Sequence, residues 1–239
     1  MEYEIKKDLY KREKYLNKIR GFYHETEIIK VLTGVRRCGK SSIMNLIAGE
    51  LIENGVKAEN ILYFNLDKKP YDTVSTTDAL DKLIADNSTT KGIKYLFIDE
   101  IQNVKGFERV INSWREEGDF SIFITGSNSY LLSGELVTKL TGRYIEFNIL
   151  PLTFDEYLEI KKFFGKQLSP DDMTELRNYI LEGGFPYVAK LNSMNDKRLY
   201  VQNLINEIYE KDIRKRIQIR NRATFEAIMK YVINNFGST

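Results

Sequence analysis

One eight-residue stretch limits this chain more than any other: Gly34-Val-Arg-Arg-Cys-Gly39-Lys40-Ser41. It fits the pattern G-x-x-x-x-G-K-[ST], in which glycines let the backbone turn sharply and wrap its amides around an anion. A β-rich apolar run, Ile28–Thr33, precedes it. A helical pattern with Ile43, Leu46, Ile47 and Leu51 on one face follows and closes at Asn54-Gly55. Strand, glycine loop and helix start, in that order, gather unpaired N–H groups and the positive end of a helix dipole at one point. A nucleotide phosphate chain suits that point. Gly34, Arg37, Cys38, Gly39, Lys40, Ser41 and Ser42 would surround it. Lys40 would reach the β- and γ-phosphates, and Ser41 would ligate Mg2+.

Four more β-rich runs follow: Ile61–Leu66, Lys94–Asp99, Phe120–Thr125 and Tyr144–Ile149. Helical patterns separate most of them, such as Phe107, Val110, Ile111 and Trp114 at i, i+3, i+4 and i+7. Alternation of this kind implies parallel crossovers and a five-stranded sheet covered on both faces, an α/β fold. Beyond Pro151 only helical patterns remain. Thr153-Phe-Asp-Glu156 reads as a capping box, and Ser169-Pro170-Asp171-Asp172 as a helix start with Pro170 in the first position. Gly183-Gly184 ends that helix, and Val201, Leu204, Ile205 and Ile208 line one stripe of the next. A last apolar helix carries Phe225, Ile228, Met229 and Val232. The sequence ends one turn later at Phe236-Gly-Ser-Thr239, which reads as a cut inside a further unit.

Hydrolysis at a phosphate site needs a carboxylate for the metal shell and a group that orients water. Tyr95-Leu-Phe-Ile-Asp99-Glu100 supplies both at the carboxyl end of a strand, where α/β sheets place their ligands. Asp99 would hold Mg2+ through water and Glu100 would polarise the attacking water. Asp67 also ends a strand, but Asn65 interrupts that run and no glutamate follows, so Asp67 reads as a loop-start residue. Neither N-K-x-D nor G-x-G-x-x-G occurs, which argues against guanine recognition and the usual dinucleotide fingerprint.

Composition mainly excludes. Lys plus Arg number 36 against 34 Asp plus Glu, a net charge of +2 that predicts no polyanion binding overall. Seven basic and four acidic residues fall in 1–20, and eight and four in 196–222, so both ends are basic around an acidic remainder. They could touch nucleic acid, although solvated helix faces explain them as well. One cysteine permits no intrachain disulfide, and no signal-like or membrane-spanning apolar run occurs, which points to the cytoplasm. The lone His24 leaves no histidine-rich metal site.

With these residues in view, the chain resembles the AAA+ superfamily of P-loop ATPases. More narrowly, it resembles the bacterial and archaeal AAA proteins that join such a core to an uncharacterised C-terminal region. The marks are the Arg36-Arg37-Cys38 insert, Ile98-Asp99-Glu100-Ile101-Gln102, Thr125-Gly-Ser127-Asn128-Ser129, Leu140-Thr-Gly142-Arg143 and Pro151-Leu-Thr-Phe154-Asp-Glu156. The resemblance implies an N-terminal helical segment (1–26), an ATPase core (27–150), a helical lid (151–194) and the start of a winged-helix-like unit (195–239). It implies ATP or ADP with Mg2+ as ligands and a possible homo-oligomer. Ser127 or Asn128 would be the polar sensor of the γ-phosphate. Arg143 would be a finger acting on a neighbouring subunit, beside the plainer reading of a surface arginine paired with a carboxylate. Gly183-Gly184-Phe185-Pro186 resembles a G-G-x-P signature that places Pro186 near the adenine, and Arg177 or Arg198 are candidate lid arginines. Arg36 and Arg37 would meet phosphate or a neighbouring domain, or simply be exposed. Cys38, next to phosphates and a helix N-terminus, is expected to have a lowered pKa, with space-filling favoured over a redox role.

Overall fold

A computed structural model describes residues 3–126, 140, 142–214 and 221–235. Five strands form one sheet: β1 (Ile29–Thr33), β2 (Ile61–Asn65), β3 (Lys94–Asp99), β4 (Phe120–Thr125) and β5 (Tyr144–Asn148). All pairings are parallel, in the order β2-β3-β4-β1-β5. The expected α/β sheet is therefore present, with three strands starting or stopping one residue inside the predicted runs. The fourth strand is inserted between the first and the third, so the end of β4 lies beside both the phosphate loop and Asp99.

Helices α1 (Glu13–Ile19) and α2 (Lys40–Glu53) cover one face of the sheet, and α3 (Thr77–Asn87) and α4 (Phe107–Glu116) the other. Alternation along the strands feeds both layers. Ile29, Val31, Leu96 and Ile98 pack toward α3 and α4, while Leu32, Tyr95 and Phe97 pack toward α1 and α2. The sequence suggests an amphipathic α2, but Lys40 and every residue from Ile43 to Leu51 are buried. The reason is a second cover. Residues 3–23 fold over its outer face, with Tyr3 on Asn45 and with Arg20 and Tyr23 on Glu50.

The remaining helices are α5 (Phe154–Phe163), α6 (Asp172–Glu182), α7 (Met194–Ile208) and α8 (Arg222–Asn235), with a π-helical turn at Tyr209–Ile213 extending α7. Thr153 and Glu156 exchange both bonds of the expected capping box. Helix α6 starts two residues later than its proline suggests. Asp171 is the N-cap, and its carboxylate accepts the Met173 and Thr174 amides, a stronger stop than Pro170 alone. On α7 the stripe is only half inside, with Leu204 buried and Ile205 exposed.

Several basic residues of the two termini are neutralised within the chain. Arg12 meets Glu156, Arg20 meets Glu50 and Glu13, Lys197 meets Glu182, and Arg214 and Arg222 meet Glu210. Among the described residues no helix is long and apolar enough to cross a membrane.

Candidate functional site

The phosphate loop leaves β1 at Gly34, which sits at φ +148° with Ile149 against it. A Cβ there would lie 2.2 Å from the Ile149 carbonyl oxygen and 2.8 Å from Cys38 Sγ, so only glycine fits. The loop passes through Arg37 in the left-handed region and enters α2 at Gly39. Lys40 is nearly buried, and its Nζ donates to the carbonyls of Gly34 at 2.9 Å and Val35 at 3.1 Å. Two of its three N–H donors are thus used to set the direction of the charge, and the third remains for a ligand.

Asp99 and Glu100 come from the end of β3. Asp99 is fully buried, with Oδ2 accepting Asn65 Nδ2 at 2.7 Å and Oδ1 accepting the Thr125 hydroxyl at 2.5 Å. The same Thr125 Oγ1 accepts the Glu100 amide at 3.1 Å. Glu100 itself holds a left-handed backbone at φ +61°, a conformation costing about 1–2 kcal/mol for a side chain with a Cβ. That strain turns the carboxyl out of the strand line and toward the loop, where Gln102 donates to it. Burial raises the Glu100 carboxyl above its ordinary pKa, helped by Asp99, while Lys40, Gln102 and Arg36 pull the other way.

A cavity of about 590 Å³ opens over these groups, a size within the usual range for a small-molecule pocket. Its polar lining includes Gly39, Lys40, Ser41, Ser42, Glu100 and Arg37. Its apolar lining includes Leu9, Tyr10, Ile160, Phe164 and Pro186, the last with Cγ 3.9 Å from the Cβ position of Gly39. Pro186 is brought there by the contact between Leu152 and Gly184. The Leu152 amide donates to the Gly184 carbonyl at 2.7 Å, and a Cβ at Gly184 would lie 2.6 Å from the Leu152 carbonyl. Neither Arg177 nor Arg198 lines the cavity; Lys190 does.

The largest omission from the sequence reading is Arg12. Its buried guanidinium donates to Glu156 through Nε at 2.9 Å and Nη2 at 2.7 Å. It also donates through Nη1 to the Cys38 carbonyl at 3.0 Å and the Leu150 carbonyl at 2.9 Å. One side chain therefore joins the phosphate loop, the segment after β5 and the start of α5. The Arg12-Glu13 pair on an amphipathic start gave no signal that its partner would be 144 positions away. Asn65 was also misread: what interrupts the apolar run is a ligand of Asp99. Asp67 accepts Asn103 Nδ2 at 2.9 Å and lies 3.8 Å from Arg36.

Cys38 corrects an expectation. Its side chain is fully buried under Gly34, and burial raises the thiol pKa more than Lys40 and nearby amides lower it. Arg143 stands immediately before β5 and pairs with Glu116 at 2.9 Å, both exposed. In register it lies level with the start of β1, since its carbonyl accepts the Ile29 amide. The phosphate loop is at the opposite end of that strand, about 16 Å away at ~3.3 Å per residue. Ser127 and Asn128 lie outside the described residues.

Residues 26–158 match the family model described as an AAA domain. This chain belongs to the AAA domain family. Residues 173–239 match a domain of unknown function, DUF8612. Among curated proteins, the chain is 34% identical over 98% of its length to an uncharacterized protein of Haemophilus influenzae, covering 58% of that protein. It is 33% identical over 88% of its length to the uncharacterized protein MJ1544 of Methanocaldococcus jannaschii, covering 47% of it. The chain thus spans about half the length of these relatives. Among solved structures, the Walker-type ATPase PABY2304 of Pyrococcus abyssi aligns with a TM-score of 0.58 at 12% identity, over 90% of this chain and 77% of that one. Aeropyrum pernix Orc1, solved in complex with DNA, aligns with a TM-score of 0.53 at 16% identity, over 92% and 65%. These likenesses show the fold of an AAA+ P-loop ATPase domain followed by helices.

The site fits a nucleotide with its metal. Lys40, Ser41 at the helix start and the Glu100 carboxyl line one cavity together with apolar side chains from outside residues 26–158, and the buried Asp99 is joined to Glu100 through Thr125. Among the described residues no cluster of three or more His, Cys, Asp or Glu side chains could cage a metal alone. Mg2+ is ordinarily held by one or two protein groups together with substrate phosphates, and Ser41 and Asp99 carry the oxygen donors such a set needs.

Proposed function

We propose that this AAA domain binds Mg2+–ATP in the cavity between core and lid and hydrolyses it, acting as a nucleotide-controlled switch or motor. The observation that carries the reading is Thr125. Its hydroxyl fixes Asp99 and the Glu100 amide together, so the two carboxyls are held in a set relation to the lysine and serine of the loop. A protein that only stored nucleotide would gain nothing from keeping Glu100 strained, buried and turned toward the loop.

Each group then has a task. The loop amides and Lys40 hold the β- and γ-phosphates and offset their charge. Ser41 and Asp99 would hold Mg2+, which when bound would offset the negative charge of the phosphates. Glu100, its affinity for a proton raised by burial, accepts a hydrogen bond from the attacking water and aligns it. The base packs in the apolar recess against Pro186, with ADP held in the same place after reaction. Arg143 is too far along the sheet to serve its own loop, so a finger role requires a neighbouring subunit of a homo-oligomer; its exposed pair with Glu116 equally fits a plain surface arginine.

The test separates binding from turnover. Glu100→Gln keeps ATP affinity near the wild-type value while turnover falls at least about a hundredfold, the usual effect of removing a positioned base. Near wild-type turnover in that variant overturns the role of Glu100. Negligible turnover in the wild type with tight binding would instead select a nucleotide-gated binding module. A DNA contact through the basic ends has less support, because several of those charges are paired within the chain.

A further inference from the structure

The two arginines of the phosphate loop have partners outside the AAA domain. Arg36 Nη2 lies 3.3 Å from Asp212 Oδ1. Arg37 Nη2 lies 2.9 Å from Glu207 Oε2, with Nε at 3.2 Å, and its guanidinium sits over the Tyr200 ring at 5.7 Å. Tyr200 and Glu207 belong to α7 and Asp212 to the π-helical turn that follows, all within the stretch matched to the domain of unknown function.

The two pairs are unequal. Arg36 and Asp212 are 14% and 11% exposed, whereas Arg37 is half exposed. An exposed pair contributes little, while a desolvated one is costly to leave unpaired. Arg36 also keeps a buried Nε without a hydrogen-bond partner among the described residues. Its fork is therefore incompletely satisfied by Asp212 and the more distant Asp67.

A guanidinium fork suits phosphate as well as carboxylate. Polyphosphate in the loop would place several negative charges next to Arg37, which lines the cavity, and near Arg36, which lies close to the cavity-lining Glu100. One fork cannot satisfy both sets of oxygens fully. We propose that Arg36 and Arg37 form an ionic latch for which Asp212 and Glu207 compete with nucleotide phosphate. Nucleotide loading loosens the α7 end and its π turn from the loop, and docking of that turn weakens nucleotide binding by the same factor. The inference rests on the loop's being a nucleotide phosphate site.

The segment is built to pass the change on. A π-helical turn is a locally strained element often found at functional positions. Tyr209 within it packs on Phe225 at 4.9 Å between ring centroids, and Glu210 meets Arg222 at 3.4 Å, so α8 is tied to the turn. Release of Asp212 therefore reaches α8 without any contact between α8 and the nucleotide.

The test is a double-mutant cycle on the affinity for a non-hydrolysable ATP analogue. Asp212→Asn should bind it about fivefold more tightly than wild type, the low end of coupling between linked sites. In an Arg36→Gln background the same substitution should change nothing. Unchanged or weaker binding by Asp212→Asn, with the wild type still binding, overturns the latch and leaves the ATP reading standing. No binding by the wild type overturns both. Glu207→Gln supplies a second, milder variant in the same direction. Hydrogen exchange gives an independent readout: amides of 209–214 should exchange faster in the wild type once the analogue is bound. Slower or unaltered exchange there contradicts the proposal.

Discussion

Arg12→Ala is the substitution whose effect the structure lets us work through. Arg12 supplies two hydrogen bonds to Glu156 and one each to the carbonyls of Cys38 and Leu150 at 3.0 Å or less. Removing it leaves Glu156, itself nearly buried, with only the Thr153 amide and hydroxyl. Breaking a buried ion pair from one side costs about 3–5 kcal/mol. For a chain of this size that is a fall in Tm of roughly 6–20 °C, at about 2–4 °C per kcal/mol. The loss should also depend on pH. Burial raises the Glu156 carboxyl, but the Arg12 fork and the Thr153 amide outweigh it and hold the pKa below the ordinary value. A carboxyl depressed in the folded state contributes stability above its unfolded pKa, and that contribution is lost as pH falls through the folded one. Thermal denaturation of wild type and variant should therefore differ most near neutrality and converge in acid, below about pH 4. Arg12→Lys should recover part of the loss, because an ammonium restores charge without the fork. A drop in Tm under about 2 °C at neutral pH, or a gap that ignores pH, would refute the claim that Arg12 fastens the phosphate loop to the segment after β5 and to α5.

Other outcomes follow from single groups. Lys30 is fully buried in β1, bonded only to the Glu25 carbonyl and the Ser121 hydroxyl, and burial lowers its pKa to about 7. Between about pH 7 and 10 the unfolded chain binds the extra proton, so stability rises with pH across that window. Lys30→Met should stabilise by a few kcal/mol at about pH 6 and by progressively less toward pH 10, read by denaturant titration; a pH-independent difference contradicts this. Arg143→Ala should abolish any rise of specific ATPase activity with protein concentration while leaving the monomer's melting unchanged within about 0.5 kcal/mol, since the Glu116 pair is exposed. A wild-type rate independent of concentration would remove the finger role.

The fold was legible because its signals are local and periodic. Short β-rich apolar runs marked all five strands, and the Thr153–Glu156 spacing marked the start of α5, each within a few residues of its cause. The phosphate loop and the acidic strand end were legible for a related reason: each is a short contiguous motif read without knowledge of the rest of the chain. What stayed hidden are contacts between distant segments. Arg12 and Glu156 read as an ordinary helix charge and an ordinary capping residue, and nothing in either neighbourhood encodes their meeting. Nothing local singles out Thr125 over the polar residues that follow it, since insertion of β4 between β1 and β3 cannot be read from one strand. The Cys38 thiol was misjudged because position along the chain, next to a helix start, says nothing of the side chain's direction. The Arg36–Asp212 pair, 176 positions apart, belongs to the same class.

The central claim is that the loop following β1 holds a nucleotide through Lys40. Equilibrium titration of wild type and Lys40→Ala with ATP in the presence of Mg2+ tests it most directly. The account predicts saturable binding of about one nucleotide per chain in the wild type and loss of that binding in the variant. Equal binding by both proteins, or none by the wild type, would contradict it.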